Sequence, residues 1–181
     1  MFLTRPAGLL LTPGASADRD HSTLVAIDEA MPELVVHRVT LSTTSINRAV
    51  AKVVEATVAL AAELGTSTED IIIGGRSFGG RACSVAAADG LAVGGLLLLS
   101  YPLHPPGKPD KLRVDHFPAI TVPTMFISGR RDPFGTPQEF DDHVGSIAAE
   151  TTLSWVDGGH APKGPAEQEV VRLVRAGLLG V

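Results

Sequence analysis

This sequence predicts a single three-layer α/β domain, a mostly parallel sheet of about six strands with helices on both faces. Three observations predict it. Short apolar runs recur without polar alternation, helical stretches with one apolar side lie between them, and 181 residues is about one domain with a full core. Unbroken hydrophobicity is what a parallel strand shows when helices cover both its faces.

The elements follow in order. The first strand is expected at residues 8–11, and Asp18 or Asp20 is expected to start the helix after it. A second strand is expected at 34–39. The helix at 46–64 sets Ile46, Val50, Val53, Val54, Leu60 and Leu64 along one side, starts near Ser45, and meets Gly65 where a C-terminal cap belongs. Further strands are expected at 71–73, 93–99, 124–128 and 152–156. Thr136, Pro137 and Glu139 spell a capping-box start for the helix between the last two. The final helix has Pro165 at its first turn, Glu167 and Glu169 early, and Arg172 and Arg175 later, as the helix dipole favours. No repeat or linker divides the chain, so one domain spanning 1–181 is expected, with its chemistry in the loops beyond the strands' carboxyl ends.

Composition excludes several function classes. Apolar residues make up 44% and mean hydropathy is +0.21, enough for a buried and mostly aliphatic core. The net charge is −5 and no basic block occurs, so a nucleic-acid partner is not expected. Cys83 is the only cysteine, which rules out an internal disulfide and a multi-cysteine zinc site and fits a reducing compartment. The longest apolar run, 91–99, is far below the roughly 18 residues of a membrane span, and the N-terminal stretch lacks the pattern of a secretory leader. A cytoplasmic protein without membrane association is the expectation.

The run 71–88, "IIIGGRSFGGRACSVAAA", carries the chemistry. Gly75-Arg76-Ser77-Phe78-Gly79 fits G-x-S-x-G between an apolar strand and a small-residue helix. A strand reversing sharply into a helix lifts Ser77 clear of the backbone. Side chains at positions 75 and 79 would collide, so both are glycine. A P-loop needs Lys and Ser or Thr where Arg81 and Ala82 stand, and a dinucleotide fingerprint needs Gly where Ser77 stands. A structural turn remains the plain alternative.

A serine nucleophile on such a turn is followed in the chain by an acid and then a histidine. His21 and His37 precede Ser77, His104 and His116 precede the next good acid, and His143 sits inside a helical stretch, which leaves His160 in "DGGHAP". Asp132 follows the fifth strand in "GRRDPFG", with Asp157 as its competitor. Asp110, Asp115, Asp141 and Asp142 read as surface charges. Phe78 and either Gly14 or Ala15 are candidate oxyanion donors, since Pro13 has no N–H. Arg76, Tyr101 and His104 are candidates for pocket lining. Arg76 also reads as a solvated turn residue, with attraction of an anionic substrate as the alternative.

With "GGRSFGG", "GRRDPFG" and "DGGHAP" in this order, the chain resembles the α/β-hydrolase superfamily over nearly its whole length. The stretch "SYPLHPPGKPDKLRVDHFPAITVPTMFISGRRDPFG" is similar to a small family related to dienelactone hydrolases. That family includes testis-expressed proteins and a subunit of the nonspecific-lethal histone acetyltransferase complex. The resemblance implies Ser77 as nucleophile, Asp132 as acid and His160 as base, without metal or cofactor. Dienelactone hydrolases themselves use cysteine, so their particular reaction is not implied, and Cys83 inside the helix is no substitute. The connection 101–122 is too short for a cap domain, so an open site is expected.

The reaction implied is hydrolysis of a small-molecule ester or thioester through an acyl-enzyme, its rate rising with pH near the roughly 6.5 of a free histidine. A noncatalytic protein-interaction module that keeps the hydrolase shell is the alternative, with an unknown protein partner. A cofactor-free perhydrolase would use the same three residues.

Overall fold

The computed structural model describes residues 5–180. The ends of the expected domain, including the first four residues of the segment read against a leader, lie outside the described residues. Six strands form one sheet: β1 (Gly8–Thr12), β2 (Val35–Arg38), β3 (Ile71–Arg76), β4 (Gly95–Leu99), β5 (Thr124–Gly129) and β6 (Thr151–Val156). Their order is β2-β1-β3-β4-β5-β6, and every pairing is parallel. Five α-helices accompany them: α1 (Ser22–Glu29), α2 (Ile46–Leu64), α3 (Phe78–Ala88), α4 (Pro137–Val144) and α5 (Pro165–Leu179).

The alternation of side chains along each strand builds two cores from one sheet. Leu10, Ile71, Ile73, Leu96, Leu98 and Phe126 face α2, α3 and α4, where Val53, Leu60, Cys83 and Phe140 meet them. Leu9, Leu11, Ile72, Leu97, Leu99 and Ile127 face α1 and α5, where Leu24, Ile27, Val170 and Val174 close the other side. Right-handed crossovers require this division: the chain moves outward from β1 to β2, then reverses toward β6, and a reversal exchanges the face on which the connecting helix lies. The reversal places a topological switch between β1 and β3, where an open sheet leaves a crevice at its carboxyl edge.

The local signals act as their chemistry dictates in two helices. Gly65 ends α2 with φ 64°, in the left-handed region that glycine enters without a Cβ clash. Thr136 and Glu139 form a reciprocal capping box on α4. Elsewhere the structure corrects the expectation. His21, not Asp18 or Asp20, caps α1, its ring nitrogen accepting from the Thr23 N–H at 3.3 Å. Asp18 instead accepts from the Asp20 N–H, and Asp20 pairs with Arg38. Arg172 and Arg175 do not stand at the end of α5. Arg172 pairs with Glu169 one turn back, and Arg175 reaches the Ala30 carbonyl and Glu33 across the molecule. β2 and β6, expected as buried strands, are the two sheet edges and are partly exposed, Val35 at 46%.

Among the described residues no cap domain covers the sheet's carboxyl edge. The connection from β4 to β5 runs close to the body of the domain and contains one short 3-10 turn, Phe117–Ala119. Its Tyr101 and Phe117 pack with each other and with Phe126, at centroid distances of 5.4 to 6.0 Å, as part of the first core. Among the described residues no helix is long and apolar enough to cross a membrane.

Candidate active site

Ser77 stands at the turn from β3 into α3 with φ 52° and ψ −116°, a conformation that L-residues rarely adopt. Its backbone is held by the bond from its N–H to the Leu99 carbonyl at 2.8 Å. The small residues around it permit that geometry. A Cβ on Gly79 would come within 2.7 Å of the Thr12 carbonyl oxygen, and one on Gly80 within 2.7 Å of the Gly75 carbonyl oxygen. A Cβ on Gly75 would lie 2.5 Å from the Thr12 carbonyl oxygen and 3.0 Å from the Gly79 carbonyl carbon. The two glycines flanking Ser77 are therefore required as much by the end of β1 as by each other.

Among the described residues the three other non-glycine positions with positive φ, Ser16, Ser42 and Ser100, also lie in loops after strands β1, β2 and β4. Each such conformation costs on the order of 1–3 kcal/mol, and such residues cluster where the fold over-determines a functional rim. The strain here collects along the carboxyl edge of the sheet.

Ser77, His160 and Asp132 meet at that edge. His160 Nε2 lies 2.8 Å from Ser77 Oγ, and its Nδ1 lies 2.8 and 3.0 Å from the two carboxylate oxygens of Asp132. Asp132 is 2% exposed and its Oδ1 also accepts the Phe134 N–H at 2.9 Å. An acceptor-only carboxylate at Nδ1 places the imidazole proton there, leaving Nε2 to accept from the serine hydroxyl. The Phe134 ring stacks on the imidazole at a centroid distance of 3.9 Å and 26° between planes, limiting its rotation. Gly129, at the end of β5, lets the turn carrying Asp132 approach the loop carrying His160, because a Cβ there would meet the Gly158 carbonyl oxygen at 2.5 Å. The competitor Asp157 is exposed and pairs with Arg131 at 2.5 Å, away from the imidazole.

An open cleft of about 420 Å³ lies over Ser77 and His160, lined also by Gly14, Ala15, Thr44, Arg76, Phe78, Arg81, Pro102, Arg113 and Phe134. Gly14, Ala15, Phe78 and Arg76 thus line this cleft. Tyr101 and His104 do not. Tyr101 is fully buried among Phe117 and Phe126, its hydroxyl donating to the Arg113 carbonyl at 2.8 Å, and burial pushes the phenol well above its ordinary range. His104 is buried between the Pro105 carbonyl at 2.8 Å and Glu139 at 3.1 Å, which ties the β4 loop to α4.

Arg76 is not a solvated turn residue either. Its guanidinium donates to the His160 carbonyl at 2.7 Å, its Nε is buried without a partner, and burial lowers its pKa against the opposing charge of Asp132. This contact, the Phe134 stack, and Arg81 and Arg113 in the cleft wall are the features that sequence reasoning did not reach; all depend on contacts between distant segments.

Phe78 is the first residue of α3, so its N–H has no acceptor within the helix. The N–H groups of Gly14 and Ala15 have no protein acceptor among the described residues. Cys83 is buried beside Thr12 and Gly74, with its thiol pushed up to about 12, the state of an inert thiol. Among the described residues no three or more His, Cys, Asp or Glu are grouped to hold a metal ion.

Comparison with known proteins places the chain in a family. Residues 5–169 match the model of an alpha/beta hydrolase domain, and the chain belongs to that family. Dienelactone hydrolase from Anabaena variabilis is similar in fold, with 21% identity over 93% of this chain and 84% of its own and a TM-score of 0.77. Est1E from Butyrivibrio proteoclasticus, solved with ferulic acid bound, shares 16% identity over 98% of this chain and 90% of its own, with a TM-score of 0.75. A thermophilic esterase from Thermogutta terrifontis shares 19% over 96% and 90%, with a TM-score of 0.69.

Proposed function

We propose that this α/β-hydrolase domain is a serine hydrolase that cleaves a small-molecule carboxylic ester or thioester through an acyl-enzyme. The observation that carries the reading is the unbroken hydrogen-bonded series from Ser77 Oγ through the His160 ring to the buried Asp132 carboxylate. Ser77 Oγ attacks the carbonyl carbon while His160 Nε2 takes its proton, and Asp132 holds the ring and stabilises the imidazolium that forms. The carbon–oxygen or carbon–sulfur bond then breaks, and His160 returns the proton to the departing alcohol or thiol. Water repeats the sequence in the second half: it gives its proton to His160, attacks the acyl carbon, and releases the carboxylic acid and free Ser77.

The negative charge on the tetrahedral oxygen is met by the Phe78 N–H and one N–H from Gly14 or Ala15. Losing one such donor typically costs about 10²- to 10³-fold in rate. Gly14 suits this place because the position its Cβ would take lies 3.6 Å from Ser77 Cβ and 3.1 Å from Arg76 Nη1. Steady-state hydrolysis of a panel of short nitrophenyl esters and thioesters tests the reading. Turnover by the wild type that falls at least about 10³-fold in Ser77→Ala is expected. Equal rates in the two folded proteins, or no turnover of any panel member by the wild type, would favour the noncatalytic interaction module.

A further inference from the structure

Arg81 and Arg113 face the same cleft as Ser77 and His160, and no Asp or Glu stands in its wall. Neither guanidinium has a hydrogen-bond or ion-pair partner among the described residues, and Arg81 Nε is buried. This is unlike Arg38, Arg131, Arg172 and Arg175, each of which reaches a carboxylate. The two unpaired cations also oppose one another: burial first, and then the charge of Arg81, lowers the pKa of Arg113. His116 beside them adds no third charge at neutral pH, because burial and Arg81 lower its pKa to about 4. Asp89 and Asp115 act on His116, in the opposite sense.

Two like charges beside one cleft, in a chain whose net charge is −5, is an arrangement the folded protein gains nothing from by itself. A bound anion removes both costs at once, by satisfying the guanidinium N–H groups and by screening their repulsion. We propose that Arg81 and Arg113 form an anion-recognition subsite, so that the ester or thioester cleaved at Ser77 carries a carboxylate or phosphate group. This rests on the hydrolase reading and narrows its substrate class. Arg76, tied to the His160 loop, is left out of the subsite.

Matched substrates test it. Nitrophenyl hemisuccinate is compared with its uncharged methyl ester, and acetoxybenzoate with methyl acetoxybenzoate, placing the charge on the acyl side or on the leaving group. The phosphonopropionyl ester of nitrophenol stands in for a phosphate. At low salt, wild-type kcat/KM is expected to favour the charged member of at least one pair by about tenfold or more, the scale of a charge-assisted hydrogen bond. That ratio should shrink in Arg81→Gln and in Arg113→Gln, persist in part in Arg113→Lys, and decline as salt is raised. Arg113→Gln guards against a folding defect in Arg81→Gln, since Arg81 Nε is a buried unpartnered atom and no Arg113 nitrogen is. The higher wild-type kcat/KM of hemisuccinate or phosphonopropionate identifies the anion.

Ratios near one in every wild-type pair, or ratios unmoved by both glutamine variants, would overturn the subsite while leaving Ser77-dependent hydrolysis standing. A second readout does not need turnover: succinate and inorganic phosphate are each tested for raising the melting temperature of Ser77→Ala. At least one should do so, and the effect should vanish when Arg113→Gln is added. If neither ligand raises it, the subsite is overturned whatever the outcome for hydrolysis.

Discussion

Arg76 occupies the position before Ser77, where a long cation is expected to wave in solvent. It instead bridges to the His160 carbonyl across 84 residues of chain. That bond fixes the loop from which the imidazole projects. In the proposed mechanism Arg76 therefore acts as a positioning residue. Arg76→Gln should lower kcat about tenfold or more with a smaller change in KM, since slight misplacement of a base is that costly. Arg76→Lys should recover part of the loss. A rise in KM alone, with kcat intact, would show instead that Arg76 contacts substrate.

Two hydrophobic patterns and one tight turn make the elements legible. Ile71 to Ile73 followed by glycines reads as a strand with a tight backbone after it, and the close neighbours prove to be Leu97 of β4 against Gly74 and Thr12 at the end of β1 against Gly75. The consequence is testable on glycines of the same type in different surroundings. Gly79→Ala forces a Cβ against backbone oxygens that cannot move without shifting β1, and should cost about 1–3 kcal/mol. For a domain of this size each kcal/mol lowers the melting temperature by about 2–4 °C. Gly145 has open space around its Cβ position and φ −63°, so Gly145→Ala should be neutral or slightly stabilising. Equal losses in both would contradict the steric account, and thermal melts decide it.

At the scale of the whole molecule, chain order carried most of what could be read. Unbroken apolar runs announce six strands, and the order of serine, acid and histidine singles out three residues that the structure brings together at one edge. The sheet order was not legible, and so neither was the exposure of β2 and β6, because both strands are apolar enough to pass for interior ones. Arg81, Arg113 and Phe134 went unread for a related reason: nothing local marks a side chain whose neighbours arrive from other strands. Tyr101 and His104 misled by their place just after β4, since the chain there turns inward to fill the first core.

The fold also couples its stability to pH through that same connection. Ser84 Oγ donates to the Arg81 carbonyl at 2.9 Å, so the 2.8 Å contact with His116 Nε2 requires an N–H on the ring, which the neutral form can supply. Burial and Arg81 depress the folded pKa of His116 to about 4, below the roughly 6.5 of the unfolded chain. Between those values the unfolded state binds the extra proton, so stability rises with pH across that window and is lost as pH falls from about 6.5 toward 4. Melting curves over this range should flatten in His116→Gln relative to wild type. Parallel curves would assign the acid sensitivity to other groups.

The claim that a single activated hydroxyl carries the chemistry is tested most directly by treating the folded protein with a fluorophosphonate and mapping the modified peptide by mass spectrometry. The account predicts one adduct per chain, on Ser77, and strong slowing of its formation in His160→Ala. An adduct on another residue, or labelling at the same rate without the imidazole, would contradict it.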